Sequence, residues 1–213
     1  MSNAKRLAST VEALTDIEIY NCPKLTALPT EFLTELPELQ LLNVACNQGI
    51  SAEQLKSDWE SLAMGSCGGK LQMLYLGYNN LKEFPEKSYL SKMVKLGMLD
   101  CTNNQIETVH PFGKEINLTK FYLDYNKIKK IEPDGEGYFF GYYDVESFTC
   151  THNELEELPD IFNAKSNYVM ASVDFSYNKI KSLANGDAHR GYNVGTLNLS
   201  YNRFETMPER LFK

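Results

Sequence analysis

The chain has 213 residues, of which 43% are apolar and 23% are charged, the balance of a folding chain and not of a disordered one. A net charge of −7 disfavours a nucleic-acid or anionic-membrane surface, and no apolar run reaches the ~18 residues that a membrane-spanning helix needs. The five cysteines contain no CxxC pair and the three histidines do not cluster with them, so neither a disulfide framework nor a metal site is predicted.

One phrase recurs along the chain. "FYLDYNKI" at residues 121–128 returns as "LYLGYNNL" from Leu74, "VDFSYNKI" from Val173 and "LNLSYNRF" from Leu197. Aligning every copy on one position, called the anchor below, gives eight registers separated by 22 to 32 residues: Cys22, Asn47, Asn79, Asn104, Asn126, Asn153, Asn178 and Asn202. Periods of this size are typical of a solenoid of stacked coils.

Each copy predicts one short strand before its anchor. Apolar residues fall three, five and eight positions before the anchor, as in Leu123, Phe121 and Leu118. The first two of these positions are two residues apart, which is the period of a half-buried strand. Such a short strand cannot bury its apolar side alone, but eight in a row form a parallel sheet over one continuous core. We therefore expect Leu123 and Phe175 to face the interior.

The anchor asparagine is predicted to hold the turn after each strand. A buried turn leaves backbone groups unpaired, at about 1–3 kcal/mol each, and Asn offers both a donor and an acceptor on a short stem. The structural ladder would comprise Asn47, Asn79, Asn104, Asn126, Asn153, Asn178 and Asn202. Cys22 supplies less hydrogen bonding, which an outermost coil tolerates better.

A helix is predicted over residues 51–64 in the longest interval. Ser51 and Gln54 have the spacing of a capping box. Leu55, Trp59 and Leu62 share one helical face. We interpret Trp59, the only tryptophan, as a core anchor on the convex side.

Three other segments depart from the repeat. Residues 1–13 resemble the convex part of a preceding coil, and the C-terminus has no polar capping unit, so we expect a fragment of a longer repeat protein. The alternative is that a partner chain or a lattice neighbour covers the ends. Residues 132–144, "EPDGEGYFFGYYD", form an aromatic insertion. Its aromatic rings either fill the core or bind a partner from an exposed loop.

The pattern LxxLxLxxNxLxxLP, seen in "VESFTCTHNELEELP" (145–159) and "VGTLNLSYNRFETMP" (194–208), resembles the leucine-rich-repeat family from Leu14 to the C-terminus. The resemblance implies an α/β fold, a right-handed curved solenoid or horseshoe. A parallel sheet would line its concave side, with turns, 3-10 helices and short helices on its convex side. It also implies a single domain over 1–213 with about eight repeats, and a convex phenylalanine spine that includes Phe32, Phe162 and Phe212.

Positions that vary between copies are predicted to face outward from the sheet. They lie four, two and one residues before each anchor (ranks −4, −2 and −1) and together form the concave face. Carboxylates are present in these ranks, and Lys and Arg are absent from them. Over seven strand steps the face is about 34 Å long, enough for a protein footprint of about 800 Å². The candidate partner-binding residues are Glu18, Tyr20, Asn43, Tyr75, Asp100, Thr102, Tyr122, Asp124, Tyr125, Thr149, His152, Asp174, Tyr177 and Asn198.

A structural interpretation of rank −1 competes with binding. Tyr precedes the anchor Asn in four copies, Tyr78, Tyr125, Tyr177 and Tyr201, and these rings could stack into a ladder that stiffens the sheet edge. Solvation of a bare sheet is the corresponding alternative for ranks −4 and −2.

These features favour a non-catalytic recognition module for a protein or peptide partner that carries basic residues. Two alternatives stay open: a carbohydrate-binding surface with sugars on tyrosine rings, and the substrate-selecting part of a larger enzyme. No nucleophile–base constellation is visible, since Cys150 occupies a core position beside His152 at the turn. No catalytic residue, cofactor or metal is predicted. A cell-surface or secreted location is a hypothesis only.

Overall fold

We describe a computed structural model of the chain over residues 3–112, 116, 118–132, 145–160, 170–186 and 193–212. The predicted aromatic insertion lies outside these residues after Glu132, as does Phe162 of the predicted spine.

Eight short strands form one parallel sheet in which each coil adds one strand. The strands are β1 (Asp16–Glu18), β2 (Leu41–Asn43), β3 (Met73–Tyr75), β4 (Met98–Asp100), β6 (Lys120–Tyr122), β8 (Ser147–Thr149), β10 (Met170–Asp174) and β12 (Val194–Asn198). They lie side by side in this order, and equivalent residues pair in register, as in Leu42 with Leu74 and Phe121 with Phe148.

The recurring apolar positions lie in the core, as predicted. Leu123 and Phe175 are fully buried, and the equivalent positions in the six inner coils are buried likewise. In the two outermost strands they are half-buried, for example Ile17 and Leu197, because only one neighbouring coil covers them.

The anchor asparagines form the predicted ladder of hydrogen bonds. The Asn126 amide donates to the carbonyls of Leu123 in its own coil and Cys101 in the preceding coil, at 3.0 and 2.9 Å, and its Oδ1 accepts the Ile106 N–H at 3.0 Å. Asn202 makes the same three contacts one period apart. Each amide therefore ties its own turn to the previous one. Cys22, in the first strand's coil, is exposed.

Helices and turns occupy the side opposite the sheet. They are α1 (Asn3–Ala8), α2 (Thr30–Leu33), α3 (Ala52–Met64), α4 (Lys87–Leu90) and a 3-10 helix (Glu209–Phe212). No helix among the described residues has both the length and the apolar character needed to cross a bilayer.

Helix α3 has the predicted face and half of the predicted capping box. Leu55, Trp59 and Leu62 are fully buried, and the Ser51 side chain accepts the Gln54 N–H at 3.1 Å. The Gln54 amide does not complete the box: it donates to Asp58 at 2.8 Å.

Aromatic rings form a contact chain through the core that the sequence pattern did not predict. Trp59 packs edge-on against Phe84 at 5.3 Å, and further ring contacts at 5.5 to 6.2 Å link Phe84, Phe112, Phe121, Phe148 and Phe175. Phe32 of the predicted spine is half-buried and packs against this core, and the Phe212 side chain lies outside what the structure describes. The chain runs beneath the sheet because several of its rings come from the strand positions themselves.

Two further parallel strand pairs follow the anchors. They are β5 (Thr108–Val109) with β7 (Lys130–Ile131), and β9 (Glu157–Leu158) with β11 (Ser182–Leu183). They form a lateral face beyond the turns, separate from the concave face.

Candidate functional site

The three outward ranks lie on one side of the sheet. The fourteen candidate residues are all half-buried or exposed, with Tyr20, Tyr125 and Tyr177 exposed by 56%, 51% and 43%. In-register pairing places equivalent residues side by side in neighbouring strands, for example Tyr75 beside Asp100 and Tyr122 beside Thr149. Two positions of rank −2, Gly77 and Ser176, are buried.

Every residue of rank −1 has a left-handed backbone conformation. The values of φ lie between 51° and 60° in Asn21, Cys46, Tyr78, Asn103, Tyr125, His152, Tyr177 and Tyr201. The left-handed conformation costs about 1–2 kcal/mol for each residue other than glycine. The turn compensates: the rank −1 N–H donates to the next coil's rank −2 carbonyl, as from Tyr125 to Thr151 at 3.0 Å, and the chain bends so that the anchor points inward.

Four rings of rank −1 form a continuous stack. Tyr125 stacks on His152 with centroids 4.2 Å apart, His152 on Tyr177 at 4.2 Å and Tyr177 on Tyr201 at 4.1 Å, with interplanar angles of 12° to 14°. Hydrogen bonding to Tyr201 and desolvation raise the pKa of Tyr177 above its ordinary value of 10.0.

The predicted tyrosine ladder is therefore correct for three of its members and wrong for the fourth. His152 provides the missing ring, and Asn103 separates Tyr78 from Tyr125 in the register. We refer to the four stacked rings, Tyr125, His152, Tyr177 and Tyr201, as the aromatic stack.

The concave carboxylates are fixed by hydrogen bonds from the sheet itself. Asp174 accepts the Ser176 N–H and the Asn198 amide, each at 2.8 Å. Asp100 accepts both the N–H and the hydroxyl of Thr102.

Asp124 accepts hydrogen bonds from the coil that follows it. Its two oxygens accept the Thr149 hydroxyl at 2.6 Å and the Thr151 N–H at 2.7 Å. In four other coils an Asp or Asn at rank −4 accepts the N–H of its own rank −2 residue. Thr149 occupies rank −4 here, and Asp124 of the preceding coil accepts the Thr151 N–H in its place.

These carboxylates remain without a cation. Among the described residues, neither Asp100, Asp124 nor Asp174 forms a salt bridge. Lys120 lies six residues before its anchor, outside the three ranks, and its ammonium pairs with Glu146 at 3.3 Å. The face is negative, and its charges are already positioned.

The lateral face has a different charge pattern. Two grooves of about 760 and 640 Å³ lie there, and three of their Lys–Glu pairs connect neighbouring coils. Lys179 contacts Glu154 at 3.0 Å, Lys181 contacts Glu156 at 2.8 Å and Lys129 contacts Glu107 at 2.9 Å.

The two cysteines that directly follow strands β4 and β8 have no features of nucleophiles. Cys101 and Cys150 are fully buried, and desolvation raises the pKa of both thiols well above 9.0. In the part of the chain that the structure describes, no group of three or more His, Cys, Asp or Glu side chains could hold a metal ion.

Sequence reasoning located the concave face but missed two of its features. The spacing marks rank −1 without showing that all its members are left-handed, although the asparagines at 21 and 103 favour that conformation. It also did not predict that the His152 ring joins the stack. His152 directly precedes the anchor Asn153, as the stacked tyrosines precede their anchors, and this shared position could have indicated it.

Comparison with known proteins gives relatives over part of their length. No family model matches the chain. Lumican of Mus musculus is 34% identical over 122 residues, which cover 56% of this chain and 35% of lumican. Osteomodulin of Rattus norvegicus is 38% identical over 93 residues, covering 43% of this chain and 21% of osteomodulin. The matched segments thus span about a third or less of these relatives.

Solved structures resemble nearly the whole chain. Leucine-rich repeat proteins from Bacteroides eggerthii and Bacteroides thetaiotaomicron are 48% and 49% identical, with TM-scores of 0.84 and 0.86. The matches cover 95% and 96% of this chain but only 34% and 25% of those chains. A Leptospira interrogans protein with a TM-score of 0.57 and 23% identity shares the fold alone.

Proposed function

We propose that this chain, which is a leucine-rich-repeat protein with the curved solenoid fold, acts as a non-catalytic recognition module. Its concave face would bind a protein or peptide segment that carries basic residues. The observation that carries the proposal is the set of concave carboxylates, Asp100, Asp124 and Asp174, held by hydrogen bonds and without a neutralising cation.

Preorganisation supports recognition of cations by this face. A carboxylate that already accepts hydrogen bonds from its own sheet loses little side-chain entropy when a partner's charge approaches. The like charges also lie on one surface, so they attract a basic partner together and increase its association rate. The exposed tyrosines add stiff contact area with polar tips.

The aromatic stack weighs against the carbohydrate alternative. Sugars bind aromatic residues through the ring faces, and the faces of His152 and Tyr177 are covered by their neighbours. A protein partner can use ring edges and hydroxyls as well, so it fits the exposed surface better.

The test begins with a random-peptide display library selected on the full 213-residue chain. Selected peptides are then synthesised, and their dissociation constants are measured by fluorescence anisotropy. We expect enrichment of Lys and Arg, and affinity that decreases as salt increases.

Two matched triple variants locate the binding face. Asp100→Asn, Asp124→Asn and Asp174→Asn together should weaken binding by about tenfold or more. Asparagine is a mild replacement for Asp100 and Asp174 at rank −4, since Asn43 and Asn198 cap the same N–H in their own coils. At Asp124, which belongs to rank −2, the asparagine oxygen can still accept the Thr151 N–H. The control removes three lateral carboxylates, Glu107→Gln, Glu154→Gln and Glu156→Gln, and should change affinity less than about twofold.

Thermal melts verify that both variants fold. Selection of peptides without basic enrichment, or equal affinity for the wild type and the concave variant, would refute the proposal. A failed selection would count against it equally.

A further inference from the structure

Rank −1 contains a break in its row of rings. From the third coil onward the residues are Tyr78, Asn103, Tyr125, His152, Tyr177 and Tyr201, all with φ between 51° and 57°. Asn103 is the one member of this row without a ring. The space above it, between the rings of Tyr78 and Tyr125, is called the Asn103 gap below.

The strand spacing leaves room for about one planar group in the gap. Two strand steps separate Tyr78 from Tyr125 by about 9.6 Å at the backbone, and rings in the aromatic stack are only 4.1 to 4.2 Å apart at each step. A flat group in contact with a ring on each side occupies about 7–8 Å. Both walls are open to a partner, with Tyr78 exposed by 52% and Tyr125 by 51%.

Negative charge lies beside the gap. Asp100 belongs to the same coil as Asn103, and its Oδ2 has no hydrogen-bond donor among the described residues. Asp124 lies in the adjacent coil, where its carbonyl accepts the Asn103 N–H at 2.8 Å.

Gly77, in the coil of Tyr78, lies next to the Asp100 carboxylate. A Cβ added to Gly77 would lie 3.6 and 3.7 Å from the two carboxylate oxygens of Asp100. That carboxylate is therefore directed toward the coil of Tyr78, and residue 77 places no side chain beside it.

We propose that the Asn103 gap binds an arginine side chain of the partner. The guanidinium would stack between Tyr78 and Tyr125 as the missing ring of the row and pair with Asp100. Guanidinium is flat, permanently charged and able to stack on aromatic faces while it hydrogen-bonds a carboxylate in its plane. An ammonium is a compact, strongly hydrated charge that cannot fill a flat space. This inference rests on the proposed function and specifies which basic residue the concave face selects.

Three capped tripeptides test the inference on the full chain: acetyl-Gly-Arg-Gly-amide, its lysine counterpart and its citrulline counterpart. Citrulline has the flat shape of arginine without the charge. Ring signals of isotope-labelled tyrosines are followed by NMR during titration. We expect the arginine peptide to shift the signals of Tyr78 and Tyr125 saturably, with about fivefold tighter binding than the lysine or citrulline peptide.

Filling the gap should abolish this preference. Asn103→Tyr places a ring where the guanidinium would lie, and tyrosine already occupies the same backbone conformation at Tyr78 and Tyr125. The matched control is Asn21→Tyr, the same substitution in the same rank at φ 54°, three coils from Asn103. It should leave arginine binding unchanged. Tyr78→Leu provides a second test, because it removes one wall and leaves the aromatic stack intact.

Equal shifts by arginine and lysine, no saturable shift at all, or an arginine preference that survives Asn103→Tyr and Tyr78→Leu would overturn the inference. The proposed function is judged separately, by the display selection and the concave triple variant. If basic peptides bind and depend on the concave carboxylates while the gap variants have no effect, recognition by the acidic face stands and the arginine site fails.

Discussion

At the anchor, one side chain satisfies three backbone groups that the turn removes from the sheet ladder. Asn126 is 8% exposed, so water can replace little of what it provides. Leucine would offer no hydrogen bond, and aspartate would bury a charge without the two amide donations. The chemistry of a single amide therefore explains why the sequence repeats this letter.

Replacing Asn126 by alanine is expected to lower the free energy of unfolding by about 1–3 kcal/mol, because the Ile106 N–H and the Cys101 and Leu123 carbonyls lose their partner. Asn202→Ala removes equivalent bonds at the half-buried last coil, where water reaches the freed groups, so its loss should be smaller. Urea denaturation measures both. Equal losses would show that burial does not set the cost.

At the level of the helix, α3 shows how convex packing reaches across coils. Its Asp58 is only 3% exposed and accepts the Leu28 N–H at 2.8 Å, thirty residues earlier. The carboxylate thus ties the helix to the preceding coil. Burial of the carboxylate raises the pKa of Asp58, and the hydrogen bonds from Leu28 and Gln54 lower it by less. The pKa of Asp58 therefore lies above its ordinary value of 3.8.

Since the folded state binds this proton more tightly than the unfolded chain does, the contribution of Asp58 to stability is greatest at acidic pH. It declines as pH increases from 3.8 through the raised folded pKa. Asp58→Asn retains an acceptor for Leu28 and does not titrate. We therefore expect the stability difference, wild type minus variant, to decrease over that range and then level off. Paired urea denaturations from acidic to neutral pH measure it. A difference that grows with pH would contradict the assigned direction of the pKa shift.

For the whole molecule, the period of the sequence predicts the fold well because each coil solves the same burial problem. Eight anchors give eight strands in chain order, and residues such as Leu123 point inward. Contacts that depend on three-dimensional neighbours were less predictable. Phe84 enters the aromatic chain from the regular apolar position five residues after its anchor, whereas Phe112 lies eight residues after Asn104, where the repeat is irregular. The aromatic stack includes His152 because ring shape, not residue name, decides stacking. Spacing gives the rank of a residue but not what its side chain touches.

A solenoid in which each coil contacts its neighbours should respond locally to core changes. Leu42 in β2 and Phe148 in β8 are four strands apart, about 19 Å. Leu42→Val and Phe148→Leu should each lower the free energy of unfolding by about 1 kcal/mol, and the loss in the double variant should equal their sum within about 0.5 kcal/mol.

Phe148 and Phe175, with ring centroids 5.5 Å apart, form the comparison pair. Phe148→Leu with Phe175→Leu should deviate from additivity by about 0.5–1.5 kcal/mol. Urea denaturation of the singles and doubles gives both coupling energies. Strong coupling between the distant pair would mean that the coils communicate through the sheet as one rigid unit, and the local picture of the core would then be wrong.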